Sequence, residues 1–424
     1  MRRWVHNTAI AATVALLATA CGTSKPAPLA QAPEGLVSVT VSVPTALAQP
    51  PFNVAREALV PPGWTMSVWA RIPKARLAAW TPDGSLLVSV PADRKVIRLT
   101  AQNPPQQSVL LDNLTGPHGL AFAGSTLYVA ESTQIDAYRY ADGTATNPQV
   151  IAAGLPDISS PELKGAYEHT LKSVAIGHDG TVYFSIGSTG NISAADRTAT
   201  PERATIMRIP PQGGPYQAFA RGVRNGTGLA VAPDGSVWTA VNGRDNIADP
   251  NPGPFYGKVI QSYVDDHPPE ELARLTEGRD LGWPYCNVDG AGGNVPLVRD
   301  VQTNPDGGKL NCASLPRVEQ TLGAHAAPLG LSFVDGDLPA PYSHGALVGV
   351  HGSWNREPPR APEVSFFAWQ NGTLGNQQTL VGGFQARDGS RWGRPVAASV
   401  GPDGAVYVTD DYAGAVYRVA PSGR

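Results

Sequence analysis

One pattern recurs along the chain: an apolar run, a turn of the Pro-Asp-Gly type, and a second apolar run whose side chains alternate in character. It reads LAAWTPDGSLLVSV at 77–90, GLAFAGSTLYVAE at 119–131, SVAIGHDGTVYFSIG at 173–187, GLAVAPDGSVWTAV at 228–241 and AASVGPDGAVYVTDD at 397–411. A looser copy, GLSFVDG at 330–336 followed by GALVGVHG at 345–352, brings the number to six. Asp-Gly between alternating, β-branched runs predicts a tight hairpin, because Gly accepts φ > 0 without steric cost. The turns recur at about 40 to 60 residues, which is room for four strands. That period predicts an all-β fold, a six-bladed β-propeller, rather than a solenoid of shorter repeat.

The spacing breaks once, between the fourth and fifth copies, and an insertion is expected around 245–325. It holds Cys286 and Cys312, which leave Cys21 as the remaining cysteine. In an oxidising compartment such a lone pair is most simply a disulfide clipping the inserted loop. The segment LVPPGWTMSVWARI at 59–72 is expected to supply the strand that joins the last blade to the first.

The N-terminus departs from the pattern. Arg2 and Arg3 precede an apolar stretch, Thr8 to Thr19, too short for a stable bilayer span. It ends LATACG, small residues before a Cys, so residues 1–20 read as a lipoprotein-type signal peptide with Cys21 as the acylated residue. An ordinary cleaved signal peptide is the alternative. Either way the mature chain is expected outside the cytoplasm, in the periplasm or cell envelope. Residues 21–55, rich in Pro, Ala, Ser and Val without helical period, read as a flexible tether, and 56–424 as the propeller.

Composition narrows the function. Charged residues make up 16% of the chain and the net charge is −3, with no basic stripe for nucleic acid. There is no nucleophile elbow, no phosphate-binding loop, no zinc-type spacing and no C-x-x-C-H haem motif. Asp265, Asp266, Glu270 and Glu271 within VDDHPPEEL read as a solvated acidic loop, and His178, in a turn, as exposed and inert.

The hairpin register places the candidate chemistry. With the turns at one end of each unit, the residues just before the first strand and just after the second share the opposite end. Those positions hold His118 and Glu131; Glu168-His169 and Ser188 to Asn191; Arg224-Asn225 and Asn242 to Asp245; His325 and the run His351 to Arg356; Arg391 to Arg394 and Asp410-Asp411. In a closed ring they crowd one mouth of the central channel, and convergent polar groups in a concave place are the default site.

Several of these stretches, in this order, carry a family resemblance: EHTLKSVAIGHDGTVYFSIG (168–187), RGVRNGTGLAVAPDG (221–235), GWPYC (282–286), HAAPLG (325–330), HGSWNR (351–356), WGRPV (392–396) and TDDYAGAVYRV (409–419). From about residue 60 to the C-terminus the chain resembles the sorbosone dehydrogenase-like group of soluble pyrroloquinoline quinone (PQQ)-dependent sugar dehydrogenases. The resemblance implies an oxidoreductase that oxidises an aldose or sugar aldehyde with PQQ and Ca²⁺ and passes electrons to a separate acceptor. It implies that His169 is the general base, with Glu168 beside it, and that Arg224 and Asn225 contact the quinone carbonyls. Arg394, with Arg391, would bind the cofactor carboxylates, and the backbone carbonyls of Gly243 and Arg244 would hold Ca²⁺. Asn242 and His118 would complete the cofactor pocket. Glucose dehydrogenases of this fold use a lysine on the fifth blade; here the region reads GVHGSWNRE, so His351, Asn355 or Arg356 would have to replace it. Trp392 or Trp354 could stack on the flat quinone, although packing in the core is the commoner role. Two rival readings are a metal-dependent lactonase-type hydrolase, which would gather carboxylates and Asn around one cation, and a non-catalytic carbohydrate-binding propeller.

Overall fold

The computed structural model describes residues 35–423. Six sheets, each built on four antiparallel strands, form the blades of a β-propeller, and the one α-helix among the described residues is the four-residue Gln261–Val264. Blade 1 runs Ala78–Trp80, Leu86–Val90, Lys95–Leu99, Gln107–Leu111, and the others repeat this order from the channel outwards. The second strand of a blade lies between neighbouring blades, so both its faces are covered. Leu86–Val90, Val237–Val241 and Val406–Asp410 are buried at every position, which is why these runs are nearly unbroken apolar sequence.

The predicted turns form as expected. Gly84, Gly180, Gly235 and Gly404 have φ of 71° to 88°, and the preceding Asp fastens the turn onto the next strand. Asp179 Oδ1 accepts from Thr181 N, and Asp234 Oδ1 from Ser236 N, both at 2.9 Å. The ring is closed by Trp64–Arg71, which pairs along Ala415–Pro421 as the outermost strand of blade 6, the role expected of 59–72.

Two expectations need correction. Within the segment read as a tether, residues 35–55 are built into the fold: Val37–Thr40 pairs with Glu57–Val60, and Val41 and Phe52 are each 4% exposed. Phe52 meets Trp392 and Tyr417 edge-on, so a Pro-rich, aperiodic sequence is ordered by an apolar plug between the blades. The insertion is also not one block. Glu270–Leu275 and Val318–Leu322 are the third and fourth strands of blade 4, and two excursions, 242–269 and 276–317, interrupt them. The second climbs the flank of blade 3, where Arg279–Asp280 pairs in parallel with Ala220-Arg221. Cys286 and Cys312 are disulfide-bonded there.

Because the first strand of each blade leaves the mouth and the second returns to it, the second-to-third-strand loops (187–204, 242–269, 351–362, 411–414) all lie on the mouth face.

Candidate active site

His169 sits in the loop entering blade 3. Gly187, at the end of the neighbouring strand, leaves room for it: a Cβ there would come within 2.6 Å of the His169 Cβ. Lys172, fully buried, steadies the loop by donating to the carbonyls of Pro156 (2.8 Å) and Thr170 (2.6 Å); burial brings its ammonium down to about 7, with Asp157 opposing. His169 Nδ1 meets two oxygens of Ser188, the hydroxyl at 2.8 Å and the carbonyl at 3.1 Å. The carbonyl can only accept, and the hydroxyl donates its own proton to Gly190 O at 2.8 Å. Nδ1 therefore carries the hydrogen, and Nε2 keeps the lone pair. Burial, then the Arg224 charge, hold the ring neutral down to about 3. Asn225 Oδ1 lies on the other side of Gly187, 3.4 Å from the same Cβ position.

Arg224, 2% exposed, is held by every arm of its guanidinium. Nη1 donates to Asn242 O (3.1 Å), Asn242 Oδ1 (3.0 Å) and the Gly243 carbonyl, and Nη2 to Asn191 Oδ1 (3.1 Å) and Asp245 Oδ2 (3.3 Å). Asp245 in turn faces His325 Nδ1 at 3.8 Å, while His325 Nε2 donates to Val264 O. Burial opposes the His325 charge, but Asp245, the Val264 carbonyl and Glu270 outweigh it and move the ring up. His325 and Ala327 both take positive φ, 57° and 50°. Such backbone persists in non-glycine residues only when surroundings enforce it; here Glu270 clamps the loop by accepting from the backbone N–H groups of Gly243 and Ala327.

The far side of the mouth is the seam where the ring closes. Asp411 accepts from Arg76 Nη1 at 2.7 Å and His351 Nε2 at 2.8 Å, linking blades 6, 1 and 5. Burial works against it, yet these two partners hold its carboxyl down at about 2. His118 donates Nδ1–H to Lys172 O (3.2 Å), and its Nε2 is buried with no partner among the described residues.

The sequence reading thus gathers His118, His169, Arg224, Asn225, Asn242, Gly243 and Arg394 at one mouth; the surroundings of Arg356, His351, Trp392 and the Glu270-Glu271 pair differ from those expected. Arg244, expected to contribute its backbone carbonyl, sends its buried side chain to Asp300 and Gln302. It props the 242–249 loop on the disulfide-bearing excursion. Arg356 bridges two loops, donating to Asp265 O (2.8 Å) and facing Asp266, so its guanidinium does not stand in for the missing lysine. His351 is taken by Asp411, whereas the Asn355 amide is buried without a hydrogen-bond partner among the described residues. Trp392 is 6% exposed, packed on Phe384 with its indole N–H on Gly383 O; it stacks on nothing at the mouth. Glu270 and Glu271 are not a solvated loop. Burial drives them up to about 7 and about 8.

The sequence reading assigned no role to Arg76, Ser188, Asn191, Asp245 or Asp411. Arg76 was findable: it precedes the first strand of blade 1 just as His118 precedes that of blade 2. The other four were within the mouth runs, but nothing in the sequence shows which of them touch.

The donor set fits a carboxylate-bearing ligand. Arg391 holds only neutral oxygens, Gln385 Oε1 (2.7 Å), Ser353 O (2.7 Å) and Arg360 O (2.9 Å). Arg394 likewise holds His351 O (2.8 Å) and Gly352 O (3.2 Å). Burial and then the Arg394 charge lower Arg391. Asp411 and Asp410 lie near Arg394, but neither guanidinium forms an ion pair with a carboxylate among the described residues, which leaves both able to meet an anion. The expected Ca²⁺ site fits less well. The Gly243 carbonyl is turned onto the Arg224 guanidinium, which would repel a cation there, and no cluster of three or more His, Cys, Asp or Glu suited to a metal occurs among the described residues.

Comparison with known proteins agrees with the fold. The chain resembles the holo form of the PQQ domain of pyranose dehydrogenase from Coprinopsis cinerea, with a TM-score of 0.73 and 19% identity over 90% of this chain and 100% of that one. It resembles the calcium structure of a family AA12 carbohydrate-active enzyme from Trichoderma reesei, with a TM-score of 0.70 and 18% identity over 86% and 97%. The apo form of the soluble aldose sugar dehydrogenase of Escherichia coli superposes with a TM-score of 0.57 at 15% identity, over 84% and 99%. An uncharacterized protein of Borreliella burgdorferi is 28% identical over 240 residues, 55% of this chain and 56% of that protein, so the chain spans little more than half of that curated relative. The TrAA12-like family model matches residues 58–422, which is the whole propeller from its closing strand onward, and the chain belongs to that family.

Proposed function

We propose that the protein is an exported quinoprotein dehydrogenase that oxidises the hydroxyl of an aldose or related sugar aldehyde hydrate and passes the electrons to a separate acceptor. The observation that carries this reading is the pairing of a neutral, tautomer-locked His169 with two guanidinium groups that form no ion pair with a carboxylate among the described residues. PQQ, when bound, supplies a two-electron acceptor for hydride. Arg391 and Arg394 would hold its carboxylates, with Asn225 and His118 lining the pocket.

The chain's own residues then have defined tasks. His169 Nε2 takes the proton of the sugar hydroxyl; Ser188 accepts the Nδ1–H and keeps the ring turned. Arg224, fixed at five points, presents positive charge without having to reorganise. Nothing is routed through Ca²⁺. The lactonase reading is less favoured, because Asp245, Asp411 and Glu270 are each engaged by protein donors rather than converging on one point.

The address at the N-terminus supports export. The lipobox-like run and Cys21 lie outside the described residues, and we propose lipid anchoring there; palmitate labelling lost in Cys21→Ala tests it. The sorbosone subgroup is our preferred assignment within the fold. The test of function is reconstitution: PQQ added to purified protein, with and without Ca²⁺, followed by dye reduction with a panel of aldoses and aldosuloses. Reduction that depends on both PQQ and sugar is expected. Neither a cofactor spectrum nor reduction would overturn the proposal.

A further inference from the structure

Exposed apolar side chains are unevenly distributed. In the mouth-face loops Phe255, Tyr256, Trp354 and Tyr412 are 50%, 45%, 72% and 60% exposed, whereas no turn at the opposite face carries an exposed large apolar residue among those described. These four aromatics are mounted on braced loops. Gln261 Nε2 donates to Asn355 O and Arg356 Nε to Asp265 O, both at 2.8 Å, fastening the Phe255-Tyr256 loop to the Trp354 loop. Trp354 and Tyr412 lie on loops joined by the His351–Asp411 contact at 2.8 Å.

A groove opens on the other flank of the Trp354 loop, about 710 Å³ in volume, lined by Pro358, Pro359, Gln385 and Asp388 among others. Arg391 joins it to the mouth: Nη2 holds Ser353 O beside Trp354, and Nε holds Gln385 in the groove wall. The groove thus shares the 351–362 loop with Trp354 and is tied to it through Arg391.

We infer that this arc and groove bind the non-reacting pyranose rings of a saccharide chain whose terminal unit enters the mouth. The inference rests on the sugar-oxidising reading for the identity of the reacting end. Exposed aromatic and proline faces offer flat apolar platforms for the C–H faces of sugar rings, and Gln385 and Asp388 in the groove wall supply planar donors and acceptors for hydroxyls. The aromatics are interleaved with Asp265, Asp266, Arg356 and Glu357, so they form separate platforms. A docked protein would instead need a contiguous patch of roughly 800 Å² with few charges at its centre.

The experiment is titration of the protein without cofactor by glucose oligomers of one to six units, α- and β-linked, followed by tryptophan fluorescence and calorimetry. Affinity that rises at least tenfold with length, in at least one linkage series, and is flat in Trp354→Ala/Tyr412→Ala is expected; both positions are exposed, and circular dichroism checks the fold. Affinity that does not depend on length, or a length dependence that survives the double substitution, overturns the inference. So does Trp354-dependent binding of a soluble c-type cytochrome without any oligomer binding, which would assign the arc to an electron acceptor. Oligomer binding without turnover after reconstitution would sink the dehydrogenase reading and leave the arc standing; turnover without length dependence would do the reverse.

Discussion

The two faces of the propeller use the same side chain for opposite purposes. At the turn face, Asp179 and Asp234 each bond the backbone two residues on, within their own hairpin. Their environment is wet, and each carboxylate serves local geometry. At the mouth, Asp245 and Glu270 reach Arg224 and the Gly243 amide from distant parts of blade 4, Glu270 also reaches the Ala327 amide of blade 5, and Asp411 joins His351 and Arg76 of two other blades. A local carboxylate can be read from a tripeptide. A bridging one depends on residues up to several hundred positions away, and its low-dielectric setting makes it costly to leave unpaired. The faces should accordingly answer differently to the same perturbation.

The largest difference is expected in turnover. His169→Gln should lower kcat by about 10²- to 10⁴-fold, the usual range for losing a general base, with the thermal transition little changed. Steady-state dye reduction on the reconstituted enzyme measures it, and near-wild-type turnover would remove His169 from its role. Next is the seam. Asp411→Ala should cost about 2 to 3 kcal/mol at pH 7 by urea unfolding, below the full penalty of a buried pair because both its partners and itself retain 15 to 20% exposure. Asp411 has its carboxyl depressed to about 2, so its contribution is present above the unfolded carboxylate pKa and is lost as pH falls towards 2; the variant and the parent should converge there.

Arg394→Met should weaken PQQ binding by about 10- to 100-fold, the worth of one charge-assisted hydrogen-bonded contact, read by fluorescence titration. An unchanged affinity would move the carboxylate site away from blade 6. Ser188→Ala should lower kcat by up to about tenfold through a looser ring orientation, since the Ser188 carbonyl still accepts the Nδ1–H, with Ser188→Thr restoring most of it. The pH profile separates this from general damage. Burial and Arg224 keep His169 neutral down to about 3, so in the parent no loss of kcat/KM through pH 5 to 7 should come from this ring. The smallest effect is expected at the other face: Asp234→Asn should change stability by less than about 1 kcal/mol and leave turnover alone. A comparable loss of activity there would dissolve the contrast between the faces.

Legibility in the sequence followed the range of the interactions. The first two strands of each blade were readable because the alternation, the Asp-Gly turn and the burial all lie within fifteen residues. The outer strands were not, and blade 4 shows why. Val318–Leu322 pairs with Glu270–Leu275 across a long excursion, and Glu270-Glu271, acidic in a row, resemble solvated loop until a sheet covers them. Phe52 was lost in a Pro-rich run for the same reason, its order coming from Trp392 and Tyr417.

The chemistry divides in the same way. The sequence by itself determined the six hairpins, the closing strand and which face gathers His169, Arg224 and Arg394, since turn chemistry and the period of two act between neighbours. Only the tertiary structure decided which of those groups touch. It gave His169 the Ser188 oxygens around its Nδ1, bound Arg244 and Arg356 to loops, and left the Arg391 and Arg394 guanidinium groups on backbone and amide oxygens. Pairing and burial set the charge of a side chain, and both are properties of the closed ring.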